Sequence, residues 1–70
     1  MLKIKINFTI RKIRKQKHIS LVYLAIESGI SKSHISDIER GKRMPSILVL
    51  CALAYALKCK VDDLYECYYE

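Results

Sequence analysis

Between residues 20 and 46 the chain punctuates itself at fixed places. Ser20, Ser31 and Ser46 each stand directly before a run with helical apolar spacing, and Gly29, Gly41 and Pro45 stand where such runs must stop. A serine hydroxyl accepts from the free amides of a helix's first turn. Glycine enters the left-handed conformation that ends a helix, and proline cannot continue one. The spacing predicts helices from Ser20 to Gly29, from Ser31 to Gly41, and from Ser46 to about Lys58, with Ile30 packing inward between the first two. Segments this short are marginal alone, so they must pack on one another.

The flanks are different. In "LKIKINF" Leu2, Ile4, Ile6 and Phe8 alternate with Lys3, Lys5 and Asn7, the period of a strand with one buried face. Asn7 is a candidate N-cap for a helix over roughly residues 8–17. There Ile10, Ile13 and Lys17 share a stripe, while Arg11, Lys12, Lys15 and Gln16 face outward. Residues 61–65 predict one more short turn of helix, and the tail "YECYYE" is β-prone enough to pair with the N-terminal strand. Seventy residues permit one domain, spanning 1–70, with a thin core often helped by oligomerisation.

Charge is distributed unevenly. Residues 1–43 hold eleven Lys/Arg against Glu27, Asp37 and Glu39, a balance of +8, whereas residues 44–70 come to −2. A basic half joined to a mildly acidic one suggests a polyanion on one face. Cys51, Cys59 and Cys67 lie eight residues apart with no Cys-x-x-Cys pair, which argues against structural zinc. The odd count and the lack of a secretory signal fit a reducing cytoplasm. The longest apolar run, residues 47–57, is too short for a bilayer span of about 20 residues. Neither His18 nor His34 has a carboxylate or cysteine at ligand spacing, and no catalytic constellation is present, so neither metal, cofactor nor small-molecule ligand is expected.

"SLVYLAIESGISKSHISDIERGKRMPSILVLCALAYAL", with "VDDLY" after it, resembles the Cro/C1-type helix-turn-helix family of phage repressors and bacterial regulators. The resemblance covers roughly residues 10–65. It is carried by Leu24-Ala25, Gly29, Ile30-Ser31, Ile35-Ser36, Ile38-Glu39, Gly41-Lys42 and Pro45-Ser46 without a gap. It implies an all-α, five-helix, lambda-repressor-like domain, to which the terminal segments add a small two-stranded ribbon.

Ile35 and Ile38 anchor the third helix, and at about 100° per residue the opposite side carries Ser33, Ser36, Asp37 and Arg40, with Lys32 beside them. A major groove admits such a helix and offers base edges to its polar side chains. In the family this is the recognition helix, which enters the groove N-terminus first. The resemblance further implies phosphate contacts from Lys42 and Arg43, a flanking position on the DNA backbone for His34, and a backbone-amide contact at Leu21, where the family often has a phosphate-binding Gln. Asp37 can accept from cytosine N4 or orient Arg40, and it repels phosphate. Glu39 is expected to pair with Arg14, as its family counterpart does.

Val22, Tyr23 and Ile26 on the second helix, and Leu48, Val49, Ala52 and Tyr55 on the fourth, are apolar where the family is usually polar. Either the terminal strands and tail enlarge the core to cover them, or they form a protein interface. A homodimer through Leu48, Val49, Tyr55, Tyr65, Cys67 and Tyr69 is the sharper expectation. The sequence therefore reads as a non-enzymatic, sequence-specific binder of double-stranded DNA that regulates transcription. The rival reading is an adaptor or antitoxin-like partner on the same fold. A restriction-modification controller would be one biological role within DNA binding.

Overall fold

The computed structural model describes residues 3–69. In chain order it runs β1 (Ile4–Phe8), α1 (Ile10–Gln16), α2 (Leu21–Ser28), α3 (Lys32–Glu39), α4 (Ile47–Leu57), a 3₁₀ turn (Val61–Leu64) and β2 (Tyr65–Tyr69). The serine caps form as their spacing predicts. Ser20 Oγ accepts from Tyr23 N–H at 3.0 Å, Ser31 Oγ from His34 N–H at 3.1 Å and Ser46 Oγ from Val49 N–H at 3.1 Å. Gly29 closes α2 with φ of 74°. After α3, Gly41 N–H donates to Ile38 O and Lys42 N–H to Asp37 O, the paired bonds of a Schellman turn around a left-handed glycine.

The core is apolar throughout the described residues. Ile10, Leu24, Ile35, Ile38, Leu53, Leu57 and Leu64 are fully enclosed, joined by Leu50 and Ala54. Ala25 and Ile30 pack against this cluster from the helix-turn-helix. Ile10 of α1, Leu24 of α2 and Ile35 and Ile38 of α3 share this cluster with four residues of α4, which accounts for the inward side of α4 but not for Ile47, Leu48 and Tyr55, which are exposed.

Three expectations are corrected. The described residues hold four α-helices, not five: the last helical segment is a single 3₁₀ turn, and Tyr65 already has extended geometry as the first residue of β2. The turn stops because Leu64 is buried and the chain beyond it is committed to β1, with Tyr65 opposite Phe8 and Tyr69 opposite Ile4 in an antiparallel register. Asn7 does not cap α1, because it lies within the ladder opposite Glu66. The helix starts at Ile10 after Thr9, whose N–H donates to Leu64 O at 2.8 Å and whose hydroxyl donates to Asp63 O at 2.6 Å. Finally, the strand's apolar side is not buried along its length: Phe8 packs on the core, but Ile6 and Ile4 are exposed. Leu2, placed on that side by its spacing, lies outside the described residues, as does Glu70 of the tail.

Two helices end in left-handed residues that are not glycine, His18 after α1 and Lys58 after α4, both with φ of 56°. His18 N–H donates to Lys15 O and Ile19 N–H to Arg14 O, so His18 performs the role glycine performs at Gly41. A side chain there costs roughly 1–2 kcal/mol, partly offset by glycine's greater backbone entropy of about 0.5–1 kcal/mol. Replacing His18 with glycine is expected to stabilise the fold by about 0.5–1 kcal/mol in urea unfolding, with an unchanged denaturant slope.

Candidate nucleic-acid interface

α3 is held from behind by three side chains. Ile35 and Ile38 are fully buried. Glu39 meets Arg14 of α1 in a bidentate ion pair, Arg14 Nε to Glu39 Oε2 at 2.9 Å and Nη2 to Oε1 at 3.2 Å. Only 11% of the Arg14 side chain and 6% of Glu39 reach solvent. Arg14 Nη1 also donates to Ile19 O at 3.2 Å, tying the pair to the turn between α1 and α2. The arrangement satisfies both charges and fixes the roll of α3 about its axis.

The rest of α3 faces away from those anchors. Lys32, Ser33 and Arg40 are exposed, while His34, Ser36 and Asp37 are half-buried. Asp37 Oδ1 stands 3.7 Å from Arg40 Nη2, with 39% and 56% of the two side chains open to solvent. An ion pair so exposed adds at most about 1 kcal/mol to stability. It places the Arg40 guanidinium beside the carboxylate one turn back along the helix. Lys42 and Arg43 follow the Schellman turn and are exposed, and they line one cleft together with Arg40 at the exit of α3.

Leu21 does not share that openness. Its side chain packs against the core, which leaves the backbone N–H of the first turn of α2 as its outward-facing group. The residues named for a dimer contact divide likewise. Leu48, Tyr55, Cys67 and Tyr69 are exposed, whereas Val49 is half-buried against the core and Tyr65 is half-buried at the base of the ribbon. Met44 and Ile47, 66% and 71% exposed, are apolar surface residues that sequence reading passed over. Their signal was available, since they stand on either side of the Pro45-Ser46 pair that precedes α4.

Among the described residues no group of three or more His, Cys, Asp or Glu side chains is placed to hold a metal ion, and no helix is long and apolar enough to cross a membrane. The three cysteines are free thiols. Burial pushes the Cys59 thiol up, Lys17 opposes this, and Asp63 adds to it.

Residues 10–64 match the helix-turn-helix family profile, from the first residue of α1 to the last of the 3₁₀ turn. The chain belongs to the Cro/C1-type helix-turn-helix family. Among its family relatives is an uncharacterized HTH-type transcriptional regulator of Mycobacterium tuberculosis, 43% identical over 56 residues, which are 80% of this chain and 40% of that protein. The HTH-type transcriptional regulator SlrR of Bacillus subtilis is 41% identical, covering 81% of this chain and 38% of its own. The immunity repressor protein of Bacillus phage phi105 is 40% identical, covering 76% and 37%. This Cro/C1-type chain thus spans about two fifths of the length of these relatives. Its fold is similar to the restriction-modification controller protein C.AhdI from Aeromonas hydrophila, with a TM-score of 0.75, 33% identity, and coverage of 77% of this chain and 82% of that one.

The Arg14–Glu39 pair yields a direct test. Cutting one member strands the other in a nearly dry site, a loss of about 3–5 kcal/mol. Glu39→Ala is therefore expected to unfold at much lower urea than wild type. The double change Arg14→Met with Glu39→Leu should recover a substantial part of that loss, measured by chemical denaturation.

Proposed function

We propose that the chain is a sequence-specific double-stranded DNA-binding unit of a transcriptional regulator, with residues 1–70 acting as one domain in the cytoplasm and binding as a homodimer. The observation that carries this is the two-sidedness of α3: Ile35, Ile38 and Glu39 are fastened inward, and Lys32, Ser33, Asp37 and Arg40 are left on the outer side ahead of Lys42 and Arg43.

In this reading α3 enters the major groove, with Lys32 and Ser33 leading. Arg40, steadied by Asp37, and Ser36 address base edges, while His34 lies toward the backbone. Lys42, Arg43 and the Leu21 amide contact phosphates. Phosphate contacts give affinity and base contacts give choice, so the two groups of residues respond differently to substitution. The names of the relatives, which include transcriptional regulators and a phage repressor, support this reading.

A second reading, an adaptor or antitoxin-like protein that contacts another protein instead of DNA, is favoured by Val22, Tyr23 and Ile26, all more than half exposed on α2. Salt separates the two, because only contact with a polyanion releases counterions in proportion to phosphates neutralised.

Titration of a labelled duplex at two salt concentrations is expected to show weaker binding for Lys32→Ala and Arg43→Ala, with the salt slope falling by about 0.9 for each lost phosphate contact. If neither variant weakens binding, that face is not the DNA surface. Asp37→Ala is expected to broaden the set of duplexes selected from a random pool while keeping affinity; a uniform loss across all sequences would count against a role in discrimination.

A further inference from the structure

A cleft of about 700 Å³ lies between α1, the end of α4 and the 3₁₀ turn, lined by no residue of α3 or of its exit. Small-molecule sites commonly measure about 300–1,000 Å³. Four lysines line this one: Lys12 and Lys17 from α1 and its end, Lys58 and Lys60 from the turn after α4. Lys58 and Lys60 are the only cations after Arg43, so the acidic half of the chain brings both of its positive charges here. Ile13 and Cys59, both half-buried against the core, give the lining an apolar part.

Two carboxylates, Asp63 and Glu66, also line the cleft, but each is engaged by its own chain. Asp63 Oδ2 accepts from Lys60 N–H at 3.0 Å, and Glu66 accepts from the Tyr68 hydroxyl. Lys17 Nζ donates to the carbonyls of Leu57 and Lys58, acceptors left open by the end of α4. Among the described residues the ammonium groups of Lys12, Lys58 and Lys60 make neither a hydrogen bond nor an ion pair. Lys58 is moreover left-handed, with φ of 56°. Glycine would take that conformation freely, so the chain keeps a strained backbone at a position that brings an ammonium group to the cleft.

We propose that this cleft binds a small anion carrying two or more phosphate groups, its oxygens shared by Lys12, Lys58 and Lys60. Ammonium groups gathered from stretches far apart in sequence repel one another, and a polyvalent anion between them turns that repulsion into attraction. The lining holds lysines and no arginine. Compact point charges suit the spread oxygens of phosphate groups, whereas a planar carboxylate is the match of an arginine fork. A duplex backbone fits less well, because Asp63 and Glu66 interrupt the basic lining and leave no stripe for successive phosphates to follow. The site stands independently of the DNA assignment of α3. Its occupant would nonetheless rest on α1, the helix whose Arg14 orients α3.

Titration of the isotope-labelled full chain with sodium tripolyphosphate, followed by amide NMR shifts at ionic strength held constant with sodium chloride, tests the proposal. Saturable shifts are expected at the amides of Lys12, Gln16 and Lys58 to Lys60, with inorganic phosphate binding about tenfold more weakly. Lys58→Gly and Lys60→Ala are each expected to weaken tripolyphosphate binding about threefold, and the double variant about tenfold. Lys58→Gly removes strain along with charge, so its urea midpoint should equal or exceed that of wild type, which separates lost binding from lost fold. Lys15→Ala removes an exposed charge of α1 from outside the cleft and should bind as wild type does. The proposal is overturned if the shifts fall only at the exit of α3 or never saturate. It is equally overturned if the double variant binds like wild type, if Lys15→Ala weakens binding as much as Lys58→Gly, or if a labelled duplex rather than tripolyphosphate requires Lys58 and Lys60.

Discussion

The guanidinium of Arg14 joins three parts of the chain at once. It grips Glu39 at the end of α3 with two nitrogens and the carbonyl of Ile19, beyond the turn after α1, with the third. α3 has only eight residues and too little helical stability of its own to choose an orientation. Two isoleucines bury one side of it, yet a pair of apolar anchors permits some roll. A planar, bidentate pair does not, because either charge would be stranded if the helix turned. The outward set of side chains on α3 is consequently defined by what holds the inward set, and the exposed Asp37–Arg40 pair refines the position of one member of it.

Local chemistry explains how much of this was legible in the sequence. Ser20, Ser31 and Ser46, together with Gly29 and Gly41, act over three or four residues, and each formed the cap or closure its spacing implied. The division of α3 into anchors and outward residues follows from helical period alone. Less legible was whatever depended on partners distant in sequence. Asn7 is a good cap by type, but pairing with residues 65–69 holds it extended and hands the start of α1 to Thr9. A fifth helix was plausible from "VDDLY" until the ladder claimed Tyr65. The alternation of Ile4, Ile6 and Phe8 correctly implied a strand with an apolar face, but no pattern within a strand states how far the core reaches beneath it.

The apolar excess of the sequence is also resolved by position. Of the residues that made α2 and α4 look unusually apolar, Val49 packs on the core and Ala52 is half-buried, whereas Val22, Tyr23, Ile26, Leu48 and Tyr55 stand outside. Among the described residues nine buried apolar side chains form the core, which leaves little reserve in a chain of this size. Exposed hydrophobic side chains on such a small body therefore bear on its solubility as much as on its contacts.

Pairing of residues 4–8 with residues 65–69 has a kinetic consequence. The helix-turn-helix forms from neighbours a few residues apart, but the ribbon closes a loop of nearly the whole chain, and that entropy must be met before any of its hydrogen bonds form. The ribbon should therefore zip up after the helices have collected and be the first segment to open. Each opening of the strands would also loosen the Thr9–Leu64 junction from which α1 begins, so the start of that helix shares the lifetime of the ribbon.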